Sequence, residues 1–276
     1  MTTLSFYHNA NSNFIKISGK DSATFIQGLI TKDINSCNDK NLIYACMLTP
    51  QGKFLADFFI FKKNDAYFFE IHEKFYENFF NKLTMYKLRS IVNIEKIDSL
   101  NSFVIFGEVD INSNHEIFNL DPRNINIGKK LIQKNSTIDN ELNFNEIDEL
   151  EYHEILIKNK VPYSPFDLEI NKSLLLENKF EEINAISWDK GCYVGQEITA
   201  RMKYRALLKK QTYVLELIAG TLEVGEDIFI NKINLGKVIS VSNKYVLCML
   251  KINLVDEKIV KNNTFKIDSS SILKLL

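Results

Sequence analysis

Short apolar runs alternate with turn signals along the first hundred residues, and the period of the runs switches between two and about 3.6. Phe14-Ile15-Lys16-Ile17 predicts a strand closed by Gly19, and residues 21–27 a short helix with Asp21 as its N-cap. Residues 44–48 and 54–61 predict two strands joined at Pro50-Gln51-Gly52, hence a β-hairpin. Further strands are expected at 67–71 and 102–106. Between these, Phe75, Phe79 and Leu83 recur at helical spacing beside Tyr76 and Phe80, so a helix with a core-facing stripe is expected over about 73–86. A second helix is expected over 143–158, with Ile147, Leu150 and Ile155 as its apolar face. This order of elements is α+β, not a regular βαβ series.

After Arg205 the texture changes. Short alternating runs at 212–218, 226–231, 238–241, 245–250 and 264–267 are separated by Gly or Asn, with no helical pattern. They predict a small β-barrel, with a boundary near 207–211.

Composition narrows the function classes. A chain of 276 residues is long enough for a body of two or three subdomains. The net charge of -1 argues against nucleic-acid binding driven by overall charge. Cys37, Cys46, Cys192 and Cys248 are widely spread with no CxxC, which excludes a zinc ribbon or a self-contained four-cysteine cluster site. So sparse a set favours a reducing compartment over a disulfide framework. His8, His72, His115 and His153 are isolated, and no metal site is assigned to them. No stretch near the N-terminus reads as a signal peptide, and no apolar run approaches the roughly 20 residues that span a bilayer. A cytoplasmic protein without a membrane partner is expected. Gly-rich phosphate loops of either common type are lacking.

The unusual chemistry lies in 188–210. Gly191 and Gly195 bracket Cys192, which suggests a turn where backbone closely approaches a neighbour. Lys190, two residues earlier, is placed to favour thiolate over thiol. Glu197 and Arg201 stand four apart with the acid first, the favourable direction for a helical pair and one able to aim Arg201 at a ligand carboxylate. On chemistry alone, an inert buried thiol and a reactive one stand level for Cys192. Cys46 and Cys248 lie in apolar strand-like runs and are expected in the core. Trp188 is expected as a packing anchor more than a stacking platform.

The run Lys190-Gly191-Cys192-Tyr193-Val194-Gly195-Gln196-Glu197-Ile198-Thr199-Ala200-Arg201 resembles the signature of the YgfZ-type folate-binding proteins, relatives of the glycine-cleavage T-protein (an aminomethyltransferase) and of a mitochondrial iron–sulfur assembly factor. Gly19-Lys20-Asp21 with residues 25–34, and Leu48-Thr49-Pro50-Gln51-Gly52-Lys53-Phe54-Leu55-Ala56-Asp57, resemble that family's N-terminal and hairpin motifs. Tyr86-Lys87-Leu88-Arg89-Ser90 and Leu176-Glu177-Asn178 match shorter patches, all in the family's order.

The resemblance implies an α+β, T-protein-like body of subdomains around a central folate-sized opening, with a C-terminal β-barrel. Residues 1–206 would form the folate-binding region, about 48–120 being an inserted second subdomain, and 207–276 the barrel. It implies tetrahydrofolate or a one-carbon derivative as cofactor. Glu177 would read the pterin as a carboxylate accepting two N–H bonds, and Asp57, Tyr193, Gln196, Glu197 and Arg201 would complete the site. A solvated charge is the alternative for Glu177, and Leu175-Leu176 replace the proline usual before it.

Cys192, with Lys190, is expected to handle a transient iron–sulfur cluster or a partner's persulfide. The implied partners are iron–sulfur client enzymes or carrier proteins, radical-SAM enzymes that thiolate tRNA among them. One departure stands out: the T-protein hairpin carries two adjacent aspartates where this chain has Ala56-Asp57. That weakens a second expectation, a folate-dependent aminomethyltransferase working through Asp57. A third, direct tRNA binding, rests on Lys203, Arg205, Lys209 and Lys210 alone.

Overall fold

The computed structural model describes residues 4–109, 115–138, 144–205, 208–258, 264–268 and 271–276. Their strands form three sheets. The first is antiparallel, in the order Leu42–Leu48, Phe54–Lys63, Ala66–His72, Ser12–Ser18, Asn93–Ile97. Every residue of Leu42–Leu48 is buried, so this strand reads as a continuous apolar run rather than an alternating one. It pairs with Phe54–Lys63 as the hairpin pattern predicts, placing Cys46 opposite Asp57 and Tyr44 opposite Phe59. The turn closes through the Gly52 N–H to the Thr49 carbonyl at 2.8 Å, with Gly52 at φ +71.

Helix Glu73–Lys87 follows the predicted stripe and buries Phe75, Tyr76, Phe79 and Leu83 on this sheet. Phe79 meets Phe58 and Phe69 with ring centroids 4.7 and 5.7 Å apart. At the short expected helix, Ser22–Gln27, Asp21 makes no side-chain cap. Its carboxylate accepts the Ile91 N–H at 2.7 Å, tying the helix start to a neighbouring loop.

The second sheet runs in the order Asn145–Ile147, Ser5–His8, Asn101–Phe106, Lys129–Gln133, His115–Leu120, with the first pair parallel. Residues on both sides of position 48 thus share the first sheet, while the second sheet takes Ser5–His8 from the start of the chain and its other strands from Asn101 onward. The helix expected over 143–158 is Glu149–Lys158, and residue 143 lies outside the described residues. A capping box sets its start: the Asp148 carboxylate accepts the Glu151 N–H, and the Glu151 carboxylate accepts the Asp148 N–H. The later start changes the buried face, which is Tyr152, His153, Leu156 and Ile157. Leu150 is 65% exposed, and Ile147 belongs to an edge strand.

The C-terminal sheet has six strands, in the order Asp227–Ile230, Ile233–Ser242, Tyr245–Lys251, Lys210–Ala219, Ile272–Leu275, Thr264–Lys266. It curls around Leu215, Ile228, Leu235, Val246, Leu250 and Leu273 into a half-barrel. Its two edge strands approach each other where the Asp268 N–H donates to the Phe229 carbonyl at 2.9 Å. Helix Ile252–Lys258, absent from the alternating pattern, follows the third of these strands. Ile157 packs with Val214, Tyr245 and Leu247 and seats the half-barrel against the rest of the body. Of the junction expected near 207–211, residue 207 lies outside the described residues, and the half-barrel's first strand starts at Lys210.

Candidate functional site

Cys192 is the exposed cysteine; Cys37, Cys46 and Cys248 are buried, and all four are free. Three segments set apart in sequence fix its loop. The Val194 N–H donates to the Gly28 carbonyl at 3.1 Å, and the Ser187 N–H to the Thr31 carbonyl at 3.0 Å. Thr31 donates its hydroxyl to the Ala185 carbonyl at 2.7 Å and accepts the Cys46 N–H at 2.9 Å, which joins the loop to the hairpin strand.

Gly195, at φ +83, lies so close to the hairpin turn that an added Cβ would stand 2.5 Å from the Thr49 carbonyl oxygen. A Cβ on Gly52 would stand 3.1 Å from the Gly195 carbonyl oxygen. The cysteine run and the hairpin motif therefore meet backbone to backbone. Gly191 differs: a Cβ there would meet nothing within 4 Å. Of the two bracketing glycines, one marks a close approach and the other does not.

Lys190 directs its hydrogen bonds to neighbouring backbone. Its ammonium donates to the carbonyls of Gln27, Ile30 and Lys32 at 2.8, 2.6 and 3.0 Å, which uses all three of its hydrogens. Burial pushes its pKa down to about 8, with the Asp33 carboxylate pulling the other way. The ring of Tyr193 lies beneath this ammonium at 4.9 Å. Tyr193 is buried with its hydroxyl unpartnered, and burial raises its pKa.

Gln196 opens the helix Gln196–Tyr204, on which Glu197 and Arg201 form the expected pair at 2.5 Å; both side chains are largely exposed. Glu177 lies in the one-turn helix Leu176–Asn178, with a carboxylate oxygen 3.4 Å from the Lys210 ammonium. Trp188 packs against the main core and donates its indole N–H to Glu181 at 2.9 Å. Lys203 pairs with that same carboxylate and covers the Trp188 ring at 4.4 Å.

Asp57 lies elsewhere, on a small polar chamber between the first and second sheets. The chamber has a volume of about 40 Å³ and is bordered by Asn9, Tyr44, Glu70, His72, Arg123 and Lys130, among others. One Asp57 oxygen accepts from the hydroxyls of Tyr44 and of Ser164, the latter at 2.7 Å. Burial raises the Asp57 pKa, while these two bonds and the Arg123 charge oppose the rise. Arg123 is held by two bonds to Asp121, at 2.7 and 3.0 Å, and donates to the Tyr152 hydroxyl at 2.9 Å. Lys130 and Glu70 form a buried ion pair at 2.6 Å across the two sheets.

Three buried atoms of the chamber residues have no hydrogen-bond partner: Asn9 Oδ1, Glu70 Oε2 and His72 Nε2. His72 Nδ1 accepts the Lys74 N–H, so the neutral ring carries its proton on Nε2, which faces a Glu149 carboxylate oxygen 3.8 Å away. Sequence reasoning placed Asp57 and missed the others. Single charged residues inside apolar runs, Glu70 in Tyr67-Phe68-Phe69-Glu70-Ile71 and Lys130 before Leu131-Ile132, were the available signal. The tetrahydrofolate expectation meets a matching polar lining here, but 40 Å³ falls well short of the roughly 300 Å³ at the small end of ligand pockets.

No family model matches the chain. In structure it is similar to the glycine cleavage system aminomethyltransferase T from Bartonella henselae, with a TM-score of 0.75 over 99% of this chain and 85% of that one at 7% identity. The architecture is thus the T-protein fold. In sequence, the chain is 28% identical over 227 residues to an iron–sulfur cluster assembly factor IBA57 homologue of Mycosarcoma maydis, covering 75% of this chain and 56% of that protein. It is 26% identical over 218 residues to the tRNA-modifying protein YgfZ of Buchnera aphidicola, covering 71% and 68%. It is 23% identical over 227 residues to the IBA57 of Mus musculus, covering 74% and 63%. The chain spans about half the length of the fungal relatives it matches. It is a homologue of the IBA57 and YgfZ proteins, as the cysteine run led us to expect.

Proposed function

We propose that this chain is a tetrahydrofolate-binding accessory protein of iron–sulfur cluster assembly and repair, with Cys192 as its working thiol. The observation that carries the proposal is the mounting of Cys192: an exposed sulfur on a loop that three separated motifs hold in place. Core cysteines such as Cys46 and Cys248 have no such setting. Among the described residues no group of three or more His, Cys, Asp or Glu side chains gathers as a metal site. A cluster carried at Cys192 therefore takes its remaining ligands from a partner, such as a carrier protein or a client enzyme.

The cofactor of this reading is the folate, whose polar groups Asn9, Glu70, His72 and Asp57 match in kind, although the chamber at about 40 Å³ is too small to hold its ring as it stands. Its chemistry, when bound, is that of a one-carbon carrier. Burial raises the Asp57 pKa, and the Tyr44 and Ser164 hydroxyls that donate to its carboxylate fix its orientation.

The test is complementation. In a strain lacking the endogenous homologue, the wild-type gene should restore tRNA thiolation by a radical-SAM enzyme, and Cys192→Ala should not, with unchanged melting temperature. Full rescue by Cys192→Ala removes the proposal.

The fold favours one second reading, a true aminomethyltransferase acting through Asp57. It requires turnover of an aminomethyl-lipoyl donor, and Asp57→Asn should abolish it. Direct tRNA binding has less support, since Lys203 is paired with Glu181 and Lys210 with Glu177.

A further inference from the structure

Leu88 ends helix Glu73–Lys87 at φ +42 and ψ −112, a backbone that glycine tolerates and leucine adopts only under strain. Its side chain is 87% exposed, so no packing offsets that strain. The loop is nevertheless held firmly. The Asp21 carboxylate takes the Ile91 N–H, and the Ser90 N–H donates to the Lys87 carbonyl at 2.8 Å. A Cβ on Gly19 would stand 2.5 Å from the Ile91 carbonyl oxygen. Met85 and Ile91 are more than half exposed as well, so three large apolar side chains reach solvent along one short stretch.

Between this loop and helix Ser22–Gln27 lies an open depression of about 830 Å³, lined by Asp21, Thr24, Phe25, Leu88, Arg89 and Ser90. It has room for protein side chains and lacks the enclosing walls that bury a small ligand. Its charge is one-sided. Lys20, Lys87 and Arg89 flank Asp21 and Leu88 in sequence, and among the described residues none of the three pairs with a carboxylate. Asp21 is already engaged by the Ile91 N–H, whereas the Arg89 fork is shaped to take a carboxylate.

The depression and the thiol loop flank the same short helix. The Thr24 carbonyl accepts the Gly28 N–H at 3.3 Å, and the Gly28 carbonyl accepts the N–H of Val194, close after Cys192. That path keeps Thr24 within about 20 Å of Cys192. A standard protein interface covers about 800 Å² on each partner, a disc roughly 30 Å across, so one visitor can span both. We infer that the depression at Leu88 and Arg89 docks the protein that visits Cys192, receiving from it an apolar side chain flanked by carboxylates. The inference rests on the Cys192 reading above.

Complementation and cross-linking test it together. Leu88→Gly relieves the strain and removes the apolar contact. In the complemented strain it should lower thiolated tRNA at least about fivefold, as loss of an interface anchor does, in a protein no less stable than wild type. Arg89→Glu should act likewise, and Arg89→Lys, which keeps the charge, should lose less. Iodoacetamide should label Cys192 in each variant at the wild-type rate. In the same cells, p-benzoylphenylalanine in place of Leu88, and separately in place of Gly191, should cross-link to one polypeptide, identified by mass spectrometry as an iron–sulfur protein. Three results overturn the inference and leave the Cys192 reading standing: wild-type thiolation with Leu88→Gly and Arg89→Glu, a fall only where Cys192 labelling also falls, or no polypeptide cross-linked from both positions. Full rescue by Cys192→Ala overturns both.

Discussion

The two glycines beside Cys192 give the sharpest quantitative test of how the thiol loop is held. Gly195→Ala meets two penalties. At φ +83 an L residue pays roughly 1–2 kcal/mol for the left-handed conformation. The new methyl would also lie 2.5 Å from the Thr49 carbonyl oxygen and 2.8 Å from the Leu48 Cβ, inside ordinary contact distance. Both neighbours belong to the buried hairpin, so relief requires backbone movement, for which overpacking costs of about 1–3 kcal/mol are typical. Together the loss should be about 2–5 kcal/mol, a large share of the stability of most domains.

Gly191→Ala meets neither penalty and should change stability by no more than about 0.5 kcal/mol. Urea unfolding followed by the emission of Trp188, the single tryptophan, measures both variants from within the same segment. The expected result is a clear fall in the Gly195→Ala midpoint with Gly191→Ala overlying wild type. Equal shifts in the two, or an unchanged Gly195→Ala, would refute the backbone contact between the cysteine run and the hairpin.

Three further outcomes are expected. Native-state alkylation with iodoacetamide should add one carbamidomethyl group, at Cys192, and four after denaturation; modification of Cys37, Cys46 or Cys248 in the folded protein would contradict their burial. Lys190 titrates near 8 when folded against an ordinary 10.5, so between those values the unfolded chain binds the extra proton and the Lys190 contribution to stability rises with pH. Wild type should therefore gain on Lys190→Met from pH 8 to 10, and parallel stability profiles would show that its pKa is not depressed. Leu88, 87% exposed at φ +42, carries backbone strain without packing, so Leu88→Gly should raise stability by up to about 1 kcal/mol in the same urea assay.

Much of the fold was legible because periodicity and burial agreed. The stripe of Phe75, Phe79 and Leu83 is the buried face of its helix, and Pro50-Gln51-Gly52 is the turn of a real hairpin. The Glu149–Lys158 helix starts later than its apolar spacing suggests, because Asp148 and Glu151 cap it, a spacing readable in the sequence, and Ile147 belongs to an edge strand. Half of the site was legible too. Cys192 stood out through its neighbours, and Lys190, two residues before it, closes the end of another segment. The chamber was hidden for a plainer reason. Asn9, Glu70, Arg123 and Lys130 come from separate strands and loops, and only the pairing of two sheets brings them together.

The anchoring of Lys190 and Gly195 on either side of Cys192 limits how far the sulfur can travel. From a lysine pinned by three carbonyls to the backbone N–H of Val194 is four residues, and extended chain covers only about 3.5 Å per residue. The thiol is a fixed post, not a swinging arm that ferries cargo between distant stations. On the function proposed above, an acceptor of sulfur or iron would have to bring its own reactive atom to this spot, so delivery would be governed by how a visiting protein seats itself around the loop.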